Sequence, residues 1–299
     1  MNDAIEAAWN EWGERGIPTT DGKISWLELQ NLVMESIARD GEILIRKIPG
    51  WDGNKFKFAL QPIEADHLDE GKNSAPSSNG TNVIRQGVEF DRWGRPVAYY
   101  LRKRHPGDYI NFKDKSELER IDAKEIIHPF LTERVGQSRG IPWMHTAARR
   151  LDQVGEYEEA ELVAARVGAS QCGFFQKSAN VVAPVIADEK DAQGNMIWEA
   201  TPGVFRELPP GVEFNPFSPT HPNSQYNEFI KATLRGAAAG LLVSYSNLAC
   251  DLRDVNYSSI RAGLLEERDI WRMIQAWIIG SFHNVSYRDW ETKIGRAHV

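Results

Sequence analysis

KATLRGAAAGLLVSYSNLACDLRDVNYSSIRAGLLEERDIWRMIQAW, residues 231–277, decides how the rest of the chain is read. It opens in an alanine- and glycine-rich helix that the pattern starts at Glu228 and ends near Leu241. Val243, Ser244 and Tyr245 leave that helix, and Ser246 or Asn247 is placed to cap a short turn holding Leu248. Residues 254–257 read as a loop, after which Ser258 is a candidate N-cap for a second helix. That helix sets Ile260, Leu264, Trp271, Ile274 and Ile278 on one stripe, at spacings of three, four or seven. Arg261, Glu266, Arg268, Asp269 and Arg272 occupy the other side, so the helix is amphipathic.

Upstream, Ile5, Ala8, Trp9 and Trp12 line one side of a helix over 4–13. Ser25 caps a helix to Arg39 with Trp26, Leu29, Val33 and Ile37 as its stripe, and Asp40-Gly41 stops it. Residues 42–48 and 55–60 read as the strands of a hairpin around Pro49-Gly50-Trp51-Asp52-Gly53-Asn54. Residues 70–80 are polar and read as a loop. A second hairpin spans Gly87 to Leu101 around Arg92-Trp93-Gly94-Arg95, and 125–130 is a buried strand. Pro142 suits the first turn of a helix that runs to about Phe175, ~50 Å long at ~1.5 Å per residue. Its middle concentrates acid at Glu156, Glu158, Glu159 and Glu161, and Ala160, Ala164, Ala165, Gly168 and Ala169 make a smooth side. On pattern alone, an interior helix of a monomeric core is the plainer reading of it. Residues 180–217 are strand and turn.

The chain has 299 residues, room for a large core in one or two domains. No apolar run approaches the ~18–20 residues of a membrane span, and the N-terminus lacks the apolar segment of a secretory signal. Two cysteines, Cys172 and Cys250, make no disulfide framework and point to a reducing compartment. The net charge of −7 argues against a module that grips nucleic acid, since such modules neutralise phosphates with a basic face. It is compatible with a wall that repels phosphate.

Catalytic constellations fail one by one. His128, between Ile127 and Pro129, reads as structural, and nothing in sequence pairs with His145. The cysteines lack zinc-ligand spacing. No nucleophile elbow, P-loop or dinucleotide fingerprint occurs, and Gly236 to Gly240 lies inside a helix without the Lys-Ser ending. The basic run Arg102 to His105, after Tyr99 and Tyr100, has the composition of a nucleic-acid contact, but a solvated hairpin end is the plainer reading. No cofactor or metal site is expected.

Two linked runs resemble the portal proteins of tailed bacteriophages, lambda-type family. One is Arg235-Gly236-Ala237-Ala238-Ala239-Gly240-Leu241-Leu242-Val243-Ser244-Tyr245 through Leu248; the other is Tyr257-Ser258-Ser259-Ile260-Arg261. Leu242 departs from the pattern, which has glycine there. Further runs are similar to the same family: Asp40-Gly41-Glu42, Gly87 to Tyr99, Ile126-Ile127-His128-Pro129-Phe130, Arg139-Gly140-Ile141-Pro142 and Gly203 to Pro219. The resemblance extends from about Ala4 to Trp290.

It implies an α+β portal-like fold, with helical and β-rich wing parts and a long stem-type helix. The implied parts are 1–68 (helices plus hairpin), 69–139 (β-rich, clip or wing), 140–178 (stem helix) and 179–293 (β segment and channel-side helices). The stem helix, with Glu156, Glu158, Glu159, Glu161, Ala165 and Gly168, would lie beside a channel and pack against copies of itself. The implied function is structural: a ring of twelve copies at the capsid vertex, in the virion, passing double-stranded DNA. Terminase large subunit, head-completion or connector proteins and the capsid or scaffold protein are the implied partners, without a membrane and with assembly in the bacterial cytoplasm. The basic run would touch terminase or a head-completion protein. From the residues, two rivals stay open: a hydrolase-like enzyme using His128 or His145, and a monomeric acidic binding module. The closing hexapeptide 294–299 is similar to a translated sequencing adapter, so a fragment of a longer frame with a non-native tail is expected.

Overall fold

The computed structural model describes residues 2–75, 82–108, 117–169, 173–177, 189–190, 196–197, 212–216, 225–253 and 256–292. The expectations for Cys172, for most of 178–217, for the loop tip 76–80 and for the 294–299 tail lie outside them. The fold is α+β, in two compact units: residues 1–147 with 239–299, and residues 148–238.

In the first unit, α1 (Asn2–Trp12) and α2 (Trp26–Asp40) lead. Ser25 and Glu28 form a reciprocal capping box at the start of α2, and Gly41 ends it with φ 89°. The stripe read from the sequence is the buried one: Leu29, Val33 and Ile37 are fully enclosed. Strand β1 (Leu44–Pro49) pairs antiparallel with β2 (Phe58–Ile63), and Leu44 lies opposite Ile63. The returning strand begins three residues later than the alternation 55–60 suggests, because Asn54 closes the turn on the Ile17 and Phe58 carbonyls. Strands β3 (Val83–Arg85), β4 (Val88–Phe90), β5 (Pro96–Arg102) and β6 (Leu118–Asp122) form a four-stranded antiparallel sheet. Short β7 (Ile126–Ile127) joins β1 on the side away from β2.

Alternation along β1 and β7 puts successive side chains on opposite faces. Leu44 and Ile126 therefore enter one core with Leu68, Val88, Tyr99, Leu101 and Ile121. Ile45 and Ile127 enter the other, which is aromatic. There Trp9 stacks on Trp12 with centroids 4.9 Å apart, and Trp12 donates its indole N–H to the Phe58 carbonyl at 3.1 Å. Trp12, Phe282 and Trp290 are fully enclosed, each worth roughly 2–3 kcal/mol of burial.

The second unit holds α3 (Ala148–Ala169), β8 (Gly173–Lys177), β9 (Glu189–Lys190), β10 (Met196–Ile197), β11 (Val212–Pro216) and most of α4 (Tyr226–Gly240). β8 pairs with β11 and β9 with β10, both antiparallel. α3 is shorter than the sequence suggests. Residues 143–146 form a 3-10 turn before it and Gly173–Lys177 is already strand, leaving 22 helical residues, about 33 Å. Gly155 does not end it. Tyr157 stacks on Tyr226 at 5.7 Å and meets Phe229 at 4.6 Å, joining α3 to α4.

Back in the first unit, α5 (Tyr245–Ala249) and α6 (Tyr257–Ile278) are followed without a break by a π turn, Ile279–His283, and α7 (Asn284–Trp290). Ile274, Ile278, Phe282, Ser286 and Trp290 are all buried. A repeat of four drifts about 40° per step around an α-helix. The wider π turn takes that drift out and keeps the stripe on one side.

Candidate functional site

The motif stretch folds into helix, turn, short helix and long helix. In α4, Ala237 and Ala238 are buried. Gly240 leaves no room for a Cβ beside the Thr146 hydroxyl, so a glycine there lets the chain approach that side chain. Arg235 is exposed. Leu242 sits in the left-handed region at φ 59°. That explains why glycine occupies this place in the family pattern: a Cβ is strained there. The cap of the short helix is Ser244, not Ser246 or Asn247; its hydroxyl accepts from the Asn247 N–H. Val243 and Leu248 are half-buried. Tyr245 donates its hydroxyl to Asp251 at 3.3 Å. Hydrogen bonds from Arg253, and after them that from Tyr245, hold the Asp251 carboxyl far below the usual range. α6 begins at Tyr257, so Ser258 lies inside its first turn and is exposed, as is Arg261.

One residue organises this turn. Glu267 of α6 is buried at 6 % exposure. Its Oε1 accepts from the Ser244 backbone N–H, and its two oxygens take the Asn247 side-chain amide at 3.1 and 2.8 Å. A carboxylate at the N-terminus of α5 satisfies donors that the helix cannot. Sequence reading missed it, although the signal was there: Glu267 falls on the apolar stripe, seven residues after Ile260 and seven before Ile274.

A second buried carboxylate gathers three of the family-like runs. Glu42, 2 % exposed, follows the α2 cap. Its Oε2 meets His128 Nε2 at 2.9 Å and accepts the Gly140 N–H at 2.6 Å; its Oε1 accepts from Arg139. Burial alone pushes the Glu42 carboxyl up, but the His128 hydrogen bond and charge, the Arg139 charge and the Gly140 N–H outweigh it and hold it below its ordinary value. Gly41 and Gly140 cross with backbone against backbone: a Cβ on Gly41 would lie 2.5 Å from the Ile141 carbonyl carbon. The latch fixes the 139–142 loop, and with it the start of the 3-10 turn.

This geometry gives the hydrolase reading no support at His128. The His128 side chain is 5 % exposed and packed edge-on against Tyr99 and beside Phe130, so no substrate reaches it. His145 is exposed and its Nδ1 lies 2.8 Å from the Pro142 carbonyl oxygen. Among the described residues no group of three or more metal-ligating side chains gathers, and no helix is long and apolar enough to cross a membrane. The basic run is largely engaged by acids: Arg102 with Asp69 at 2.8 Å, Lys103 with Glu117 at 2.7 Å, and His105 near Glu64 and Asp66 at 3.1 and 3.5 Å. On α3, Glu156, Glu158, Glu159 and Ala165 are exposed, with Leu162 and Val163 beside them, while Glu161 accepts from the Tyr157 hydroxyl at 2.9 Å. Gly168 lies in the last turn.

Comparison with known proteins points to one family. Residues 1–275 match the family model of the phage portal protein, lambda family. The chain is 40 % identical over 281 residues to a probable portal protein of Halomonas phage phiHAP-1, covering 93 % of this chain and 54 % of that protein. It is 23 % identical over 288 residues to the portal protein of Escherichia phage N15, covering 88 % and 53 %. Thus the chain spans about half the length of the curated relatives it matches. Among solved structures, a chain in the neck of a native gene transfer agent particle, computed with C12 symmetry, superposes with a TM-score of 0.52 at 15 % identity, covering 91 % of this chain and 71 % of that one.

Proposed function

The chain belongs to the lambda family of phage portal proteins, and on that premise we propose that it is a structural subunit of the ring at the capsid vertex through which double-stranded DNA enters and leaves. The family match over residues 1–275 carries this reading. The C12 symmetry reported for the gene transfer agent neck supports a ring of about twelve copies. The portal makes and breaks no bond. Its work is geometric: heterologous contacts between identical copies close a ring, and an acidic inner wall keeps phosphate from sticking while the duplex slides.

The acidic face of α3, with Glu156, Glu158 and Glu159 in solvent, suits the channel side of such a ring or a contact with the neighbouring copy. The five-part division into wing, β-rich, stem and channel-side regions belongs to the same proposal. So do docking of terminase, of head-completion proteins and of capsid or scaffold protein, and assembly in the host cytoplasm. The experiment is deletion of the gene from the phage that carries it. Heads without packaged DNA and without tails are expected, restored by the gene supplied in trans. DNA-filled, tailed particles from the deletion contradict the reading.

A further inference from the structure

The β4–β5 turn is built to present a side chain rather than to hide one. Asp91 Oδ1 accepts the backbone N–H groups of Trp93 and Arg95, each at 2.8 Å. The Asp91 N–H donates to the Arg95 carbonyl at 2.9 Å, and Gly94, at φ 77°, donates to the Asp91 carbonyl at 3.0 Å. The tip is therefore rigid before any partner arrives. On it Trp93 is 72 % exposed, with the Arg92 guanidinium 5.0 Å from its ring centre and Arg95 also in solvent. A large aromatic beside arginine on a preorganised turn is the composition of an interface anchor. The turn residues Asp91, Gly94 and Arg95 fit the family-like run, whereas positions 92 and 93 are open in it.

The same unit carries a concave site of opposite character. A cleft of about 310 Å³ between α1 and α7 is lined by Ile5, Glu6, Trp9, Tyr287 and Glu291. Trp9 and Tyr287 meet edge to face at 5.2 Å. Glu6 and Glu291 stand in solvent at its rim. Aromatic walls accept an indole or a guanidinium face, and two carboxylates accept arginines.

From this complementarity we propose that the Arg92–Trp93–Gly94–Arg95 tip of one copy docks in the Glu6–Trp9–Tyr287–Glu291 cleft of the next copy. In a ring the tip of each copy engages the neighbour on one side and its cleft the neighbour on the other, a head-to-tail contact that propagates. The proposal rests on the reading of the chain as a ring subunit. Its area is small, so it sets register and orientation between copies rather than supplying all the affinity.

Charge reversal tests it. Sedimentation of the full chain up to about 1 mM, the weak end of specific binding, measures self-association of wild type, of R92E/R95E, of E6R/E291R and of the fourfold variant that carries both swaps. Each double variant is expected to associate about 30-fold more weakly, the effect of losing one hot spot, and the fourfold variant to recover. W93A is expected to weaken association by a similar factor, and the cleft charge swap does not restore it. Unchanged association in the double variants, or no recovery in the fourfold one, overturns the contact. A wild-type chain that stays monomeric also overturns it; the portal reading is tested separately by the deletion phenotype.

Discussion

Leu242 and Glu42 show how single residues carry this fold. Leu242 holds φ 59° with 37 % of its surface exposed. Leu242→Gly relieves a strain of about 1–2 kcal/mol, part of it offset by the extra freedom of glycine in the unfolded chain. Loss of the leucine side chain, about two-thirds of it out of solvent, offsets the remainder, so a change of under ~1 kcal/mol is expected in denaturant unfolding, where an unstrained Leu→Gly would cost ~2 kcal/mol or more. Glu42→Gln removes the one carboxylate that His128, Arg139 and the Gly140 N–H share. A loss of about 3 kcal/mol is expected, as for other buried pairs broken on one side. The pH dependence has a definite sign. Because the folded carboxyl titrates below its ordinary 4.5, its contribution is complete above that value and disappears as pH falls through the lower folded one. Urea titrations between neutral and acid pH should show wild type losing stability in that window more steeply than Glu42→Gln. Parallel curves contradict it.

Helices and strands, taken as elements, were legible where one face is apolar and the other wet. The α2 stripe, its capping box and its glycine stop follow from local rules, and so do the two hairpins. Three things were not legible. The end of α3 was missed although Gly173 is a helix-stopping type, because the strand Gly173–Lys177 that follows it is decided by pairing with Val212–Pro216. The cap of α5 was misplaced because Ser244, Ser246 and Asn247 are all capping types, and Glu267, 23 residues away, selects Ser244. Convergence of the runs around Glu42, His128 and Arg139 on one carboxylate is tertiary, across as many as 98 residues, and no periodicity reports it. Glu267→Ala should test the α5 assignment. Two donors lose their buried partner, costing about 1–3 kcal/mol. Backbone amides of Tyr245 to Leu248 should exchange faster with solvent while those of α2 keep their protection. Equal protection in both would contradict the role given to Glu267.

For the molecule as a whole, the aromatic core is the least local feature. It brings α1 together with Phe282 and Trp290, and Lys47 of β1 reaches Asp289 of α7 at 2.6 Å across 242 residues. Truncation before Ile278 removes Phe282 and Trp290 from that core. Loss of cooperative unfolding by the first unit is then expected, read from tryptophan fluorescence during a denaturant titration; an unchanged transition contradicts the packing. Portal function could be read from sequence only through family resemblance. Nothing in −7 net charge or in an acidic helix distinguishes a channel wall from an ordinary solvated face, because self-association is a property of surfaces that one chain's pattern does not pair.

The central claim is that identical copies enclose an opening for a duplex, and electron microscopy of the purified protein tests it most directly. Closed rings with about twelve-fold symmetry and a central hole that admits double-stranded DNA are predicted. A population of monomers, or of closed two-fold dimers without a hole, at every concentration imaged would contradict it.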